Sequence, residues 1–208
     1  MTLITIEGID GAGKSTLHAD LGRRLADLSP LMTREPGGTE IGNTIRNLLK
    51  SKEHAPFSPY TEAFLFAADH AQHVHEIIRP ELQKKRLIIS DRYYDSRIAY
   101  QRVTLSGVCE DPIRFLKEMH AGWSILPTHT FLLILDSKLA YERSKHRGEM
   151  DRFEVIELLD QFQHVFLRLA EEDPSRFTLL DARHPFEKMA PFVEETIRTI
   201  HAQNSKTR

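Results

Sequence analysis

Cysteine is almost missing from this chain: Cys109 is the only one in 208 residues. A lone thiol rules out an intrachain disulfide and fits a reducing compartment. Long apolar runs are missing too. None approaches the roughly 18 residues of a membrane span, so no membrane association is expected. The opening MTLITIEG lacks the basic n-region and extended apolar stretch of a signal peptide and reads as a first strand. A cytoplasmic location is expected. Neither sign of charge is in excess: the formal net charge is −2, which gives no global electrostatic reason for a nucleic-acid partner. There is no internal repeat, and biased composition is confined to the tail NSKTR. The length suits one domain over residues 1–208 with a substantial core.

What is present is an alternation. Short apolar runs at 3–6, 31–33, 87–90, 131–136 and 177–181 are separated by helix-periodic segments, among them 15–28, 59–83, 139–145, 154–171 and 185–202. Ser58-Pro59 and Asp111-Pro112 each pair an N-cap residue with proline at the first helical position. Alternating strands and helices predict an α/β fold with a parallel sheet covered on both faces. In such a sheet the ligand site lies beyond the carboxyl ends of the strands. Glu7, Asp10, Arg34, Glu35, Asp91 and Arg92 all fall there.

Directly after the first run stands GIDGAGKST, Gly8 to Thr16, which satisfies G-x-x-x-x-G-K-[ST]. Gly8, Gly11 and Gly13, with Ile9, Asp10 and Ala12 between them, let backbone N–H groups converge on phosphate oxygens. The next helix turns its positive end toward the same anion. In this motif Lys14 reaches the β- and γ-phosphates of the nucleotide, and the Ser15 hydroxyl ligates Mg²⁺, with Thr16 beside it.

A guanine-reading N-K-x-D stretch is absent, which argues against a GTPase. A kinase needs further cations above the phosphate loop to hold a second substrate in line. LIISDRYYDS supplies them: Asp91 at a strand end suits a metal or an acceptor oxygen, and Arg92 offers a planar fork for phosphate. YERSKHRGEMDRFE adds Arg143, Lys145, His146, Arg147 and Arg152 between two helices. That segment, about 143–153, is a candidate lid whose closure excludes water.

Together EGIDGAGKST, TREPGGTEIG, FLFAADHAQHV, SDRYYDSRIAYQ and HRGEMDRFE, in this order and spacing, make the chain resemble thymidylate kinases of the bacterial type. The resemblance covers about three quarters of the chain. It implies a three-layer P-loop NTPase fold, with a five-stranded parallel sheet flanked by helices and a short lid. It implies γ-phosphoryl transfer from ATP to dTMP with Mg²⁺, usually by a homodimer. By position it places Lys14, Ser15 and Arg143 on ATP, and Ser15 and Asp91 on the metal. Asp10 and Arg92 fall at the acceptor phosphate and sugar, Arg34 on the acceptor side, Phe66 on the thymine ring and Tyr100 against the sugar 2′ position. Arg147 becomes the catalytic arginine, because the phosphate loop carries Gly11 where some relatives carry arginine. A cis Glu35–Pro36 bond is also implied. Two other readings stay open: a nucleoside-monophosphate kinase that prefers dUMP or a modified pyrimidine, and a nucleotide-binding module without transfer.

One stretch departs from the family pattern. FLFAADHAQHVHEII carries His70, His73 and His75. At 3.6 residues per turn, Tyr60, Ala63, Phe64, Ala67, Ala71, Val74 and Ile78 form an apolar stripe. Phe66, His70, His73 and Ile77 form a column on one flank of it, and His75 lies on the other. This geometry suits no three-histidine zinc site, and His73 and His75 read as ordinary helix flanks. Relatives typically carry a base-reading arginine at position 70 and a small or amide residue at position 97. Here His70 and Arg97 stand there, so the expectation is that the guanidinium has moved to position 97. The competing possibility is that His70 reads the base alone.

Overall fold

A computed structural model describes residues 1–51, 55–146, 153 and 155–206. Five strands, β1 (Thr2–Gly8), β2 (Leu31–Arg34), β3 (Leu87–Asp91), β4 (His129–Ile134) and β5 (Phe177–Asp181), pair in parallel in the order β2-β3-β1-β4-β5. The apolar runs explain the order. β1 is buried along its whole length, and β3 and β4 nearly so, while β2 and β5 are partly open. Runs that are apolar on both faces need cover on both faces and take the centre; the less buried ones take the edges. β4 stops at Ile134, two residues before the end of the predicted run, because Asp136 turns back to cap α7 (Ser137–Lys145) through Lys138 and Leu139 N–H groups.

Helices connect the strands: α1 (Lys14–Arg24), α2 (Glu40–Lys50), α3 (Pro59–His73), α4 (Arg79–Gln83), α5 (Tyr94–Thr104), α6 (Pro112–His120), α7, α8 (Ile156–Glu172) and α9 (Phe186–Lys206). Ser58 and Asp111 cap α3 and α6 from the side chain, each followed by proline, as the sequence predicts. α3 runs on through a π-helical turn, Val74–Ile78, into α4, so the predicted 59–83 helix is continuous. α1 and α9 pack on each other and on β1; α5 packs on α3, α6 and α8 and reaches β1.

The apolar stripe expected on α3 is only half right. Ala63, Ala67, Val74 and Ile78 are buried, but Phe64 is 55% exposed and Ala71 lies at the surface. The buried face turns toward Glu62, Asp69, His70 and His73 instead. Those polar groups are buried because charges from other elements meet them there. Among the described residues no helix is long and apolar enough to cross a membrane.

Candidate active site

The register sets the site. Ile6 of β1 and Arg34 of β2 both align with Asp91 of β3, so β2 and β3 end level and β1 runs two residues further, to Gly8. The chain moves from β1 out to β2 and back through β3, and only then crosses to β4. The phosphate loop thus lies at the switch point in the middle of the sheet edge. A cavity of about 650 Å³ opens above it.

One end of the cavity is the loop. Gly11 has φ +83°, and a Cβ there would lie 2.1 Å from the Ala140 carbonyl oxygen of α7. The backbone of α7 therefore occupies the direction in which a side chain at position 11 would leave the loop. Lys14 is buried and donates to the Ile9 carbonyl at 2.7 Å. Burial, and then Arg92, pull its pKa down to about 8, so an arriving phosphate would restore a full charge. Ser15 Oγ donates to Asp91 Oδ2 at 2.6 Å. A hydroxyl and a carboxylate side by side form a hard oxygen pair of the kind Mg²⁺ takes from protein, the remaining ligands being phosphate and water. Among the described residues no three His, Cys, Asp or Glu side chains are grouped to hold a metal ion.

The middle of the cavity is built on Arg92. Its Nη2 donates to Asp10 Oδ1 at 2.6 Å and to the Tyr100 hydroxyl at 2.9 Å. Tyr100 in turn donates to Asp10 Oδ2 at 2.8 Å, and its ring stacks on Phe162 at 4.1 Å. Burial alone would raise the Asp10 carboxyl, but Arg92 and Lys14 hold it well below the usual carboxylate range. Arg34 and Arg46 stand at the rim, and Arg46 donates to the Pro36 carbonyl at 2.8 Å. Arg46 and Ser96 also line the cavity, and the sequence gives no sign of either: an isolated arginine in the helical IGNTIRNLLK carries no local motif.

The far end holds Phe66, Pro36, Arg97 and Gln101. The Glu35–Pro36 bond is cis. Arg97 Nε and Nη2 donate to Glu35 Oε2 at 3.2 and 2.9 Å, Nη2 also reaches Asp69 Oδ2 at 3.2 Å, and Nη1 donates to the Phe66 carbonyl. Arg97 thus lines the cavity beside Phe66, and four of its donor contacts are fixed by the protein.

His70 does not line the cavity. It is fully buried behind Glu35, with Nδ1 on Glu35 Oε1 at 2.8 Å and Nε2 on Ser124 Oγ at 2.7 Å. Burial, first, lowers its pKa, so the ring is neutral near pH 7. Glu35 stays ionised: against burial, the His70 and Arg97 groups hold its carboxyl well below its ordinary value. The placement corrects a base-reading role for His70, since both ring nitrogens are engaged inside the protein. His73 is corrected as well: it is buried, with Nδ1 on Glu35 at 2.7 Å and Nε2 on Thr33 at 2.7 Å. His75 is exposed, as expected.

Arg143 lines the cavity from α7, with Nη1 on the Ala182 carbonyl at 3.3 Å. Arg147 and Arg152, and with them most of the candidate lid, lie outside the described residues.

Comparison with known proteins finds relatives along nearly the whole chain. The thymidylate kinase family profile matches residues 6–192. A probable thymidylate kinase of Methanoculleus marisnigri is 49% identical over 206 residues, covering 99% of this chain and 98% of its own. One from Methanospirillum hungatei is 48% identical over 196 residues, 94% of this chain and 93% of its own. One from Methanocorpusculum labreanum is 44% identical over 201 residues, 97% of this chain and all of its own. The profile match over residues 6–192 and these relatives, each matched along more than nine tenths of both chains, show that the chain belongs to the thymidylate kinase family.

Proposed function

We propose that this enzyme transfers the γ-phosphoryl group of ATP to dTMP, giving dTDP and ADP. The observation that carries this reading is the single cavity with the phosphate loop at one end and Arg92, Asp10 and Tyr100 facing it. An oxygen of the dTMP phosphate bonds to the γ-phosphorus as the bond to the β–γ bridging oxygen breaks. That phosphate is already anionic near neutral pH, so no strong general base is needed. The barrier is repulsion and misalignment of two anions, which cations and fixed geometry relieve.

In this reading the Gly8–Thr16 backbone and Lys14 hold the β- and γ-phosphates, and Arg143 lies toward ATP. Ser15 and Asp91 hold Mg²⁺, which supplies charge neutralisation and orientation to the triphosphate. Arg92 binds the acceptor phosphate, and Asp10 fixes Arg92. Tyr100 crowds the sugar 2′ position, and Arg34 closes the acceptor side. Phe66 stacks on the base, and the remaining N–H of Arg97 Nη1 donates to a ring carbonyl. Arginine is a donor only, so this edge favours a keto pyrimidine over one with an amino group there. Arg147 brings a cation to the transferring group from the lid. The active form is a homodimer, a reading supported by Ile41 of α2 and Phe64 of α3, both more than half exposed on helices that pack together.

Coupled ADP release with ATP alone and then with dTMP, dUMP, dCMP and dGMP tests the proposal. Strong dTMP-dependent release is expected. Release independent of acceptor, or faster with dUMP, would overturn it. Sedimentation velocity decides the dimer.

A further inference from the structure

Arg92 stands in a backbone conformation that side chains rarely adopt, with φ +65°. Left-handed geometry at a non-glycine residue is unfavourable and needs support from its surroundings. Part of the support is local: Arg92 N–H donates to the Ile6 carbonyl at 3.0 Å, and Ser90 Oγ donates to the Arg92 carbonyl at 2.7 Å. The rest comes from Glu7, which is fully buried on β1 and does not line the cavity.

Helix α5 follows Arg92 without a side-chain cap of its own. Glu7 Oε1 takes that place, accepting from Tyr93 N–H at 2.8 Å and Ser96 N–H at 3.3 Å. A carboxylate on the sheet thereby satisfies two of the open donors at the helix start. The other oxygen, Oε2, accepts from the Ser96 hydroxyl. A hydroxyl has one hydrogen. With that hydrogen given to Glu7, Ser96 Oγ presents lone pairs to Arg92 Nη1, which donates to it at 3.0 Å.

We infer that Glu7 is a positioning residue for the acceptor phosphate, aiming the Arg92 guanidinium through Ser96 and fixing the turn that carries it. The inference rests on the proposed role of Arg92 as the phosphate ligand. Glu7→Gln is the informative change, because it keeps size and one acceptor oxygen. Its amide would donate toward Ser96, so the hydroxyl loses its fixed sense and Arg92 Nη1 keeps only the Gly8 carbonyl, at 3.1 Å, as a fixed acceptor. The defect should follow the phosphate and spare the rest of the acceptor.

The test is titration calorimetry of dTMP and thymidine against the wild type, Glu7→Gln, Ser96→Ala and the double variant, with thermal melts of each. Glu7→Gln should weaken dTMP about ten-fold, the scale of one charged hydrogen bond, and change thymidine less than about two-fold. Ser96→Ala leaves the carboxylate cap in place and should show the same phosphate-selective loss, with no further loss in the double variant. Equal weakening of dTMP and thymidine by Glu7→Gln, no change in either, or additive losses would overturn the inference. If Glu7→Gln does not fold, a Ser96→Ala protein that binds dTMP as the wild type does overturns it. A wild type that binds thymidine as tightly as dTMP removes Arg92 from the phosphate, and the inference with it.

Discussion

The imidazole of His70 and the guanidinium of Arg97 meet at one carboxylate. From α3 and α5 respectively, they contact Glu35 at 2.8 and 2.9 Å, and Asp69 adds a second carboxylate 3.2 Å from Arg97. All four side chains are buried. Positions 70 and 97 are therefore two places from which one cation can serve Glu35.

Exchanging the two side chains should reveal that equivalence. Arg97→Ser alone leaves Glu35 and Asp69 buried without a cation and should cost about 3–5 kcal/mol. His70→Arg alone forces a second guanidinium into a filled cluster and should cost roughly 1–3 kcal/mol. The double variant should be more stable than the sum by about 1–3 kcal/mol, because one cation again faces the acids. Urea denaturation of the four proteins measures the coupling; strict additivity would refute it.

This cluster also shows where reading the sequence stops. The phosphate loop is legible because its chemistry is contiguous, from Gly8 to Thr16, and the strands because each is a local apolar run. The burial of His70 and His73 is not legible from α3, because their partner Glu35 lies 35 and 38 residues away and Arg97 lies on another helix. Periodicity counts apolar faces and has no term for a polar face neutralised from elsewhere, so it puts Phe64 in the apolar stripe and leaves His73 on an ordinary flank. Glu7 is misplaced for a similar reason: the polar end of TLITIEG puts it at the ligand site, whereas it is buried away from the cavity, where α5 crosses over it.

Gly11 tests how the loop and α7 fit. Its positive φ and the Ala140 carbonyl oxygen, into which a Cβ would run, both oppose a side chain. Gly11→Ala should weaken ATP binding more than ten-fold and destabilise the protein by about 1–3 kcal/mol. Gly11→Arg should do worse and should not rescue Arg147→Ala. Rescue, read as restored kcat, would show that the loop has room this structure denies it.

Arg147 itself should act on the chemical step. If the lid brings it to the transferring phosphoryl group, Arg147→Ala should lower kcat by about 10²-fold or more and change dTMP affinity little. Steady-state kinetics paired with calorimetry separate the two effects. An unchanged kcat would remove Arg147 from the mechanism.

The metal should enter through Ser15 and Asp91, whose oxygens are 2.6 Å apart. Chelation with excess EDTA should abolish ADP release, and added Mg²⁺ should restore it. Ser15→Ala should raise the Mg²⁺ concentration needed for half-maximal rate about ten-fold while leaving dTMP affinity near the wild-type value. Equal Mg²⁺ demand in both proteins would place the ion elsewhere.

Acid should destabilise the fold through His120. The ring is 3% exposed, its Nδ1 donates to the Leu116 carbonyl at 2.6 Å, and Nε2 has no partner among the described residues. Burial, followed by the nearby Arg97, lowers its pKa to about 4. The folded pKa thus lies below the unfolded value of about 6.5. Between those values the unfolded chain binds a proton that the folded protein refuses, so stability falls as pH drops from about 6.5 toward 4, by at most about 1.4 kcal/mol per pH unit. Asp69 works the other way: burial raises its carboxyl to about 6, so the folded state holds a proton that the unfolded chain releases until near pH 4. His120→Phe removes the first contribution and leaves the second. Its stability relative to the wild type should therefore rise by roughly 1–3 kcal/mol between pH 7 and pH 4.5, measured by urea denaturation. A difference independent of pH would mean that His120 accepts its proton as readily in the folded protein as outside it.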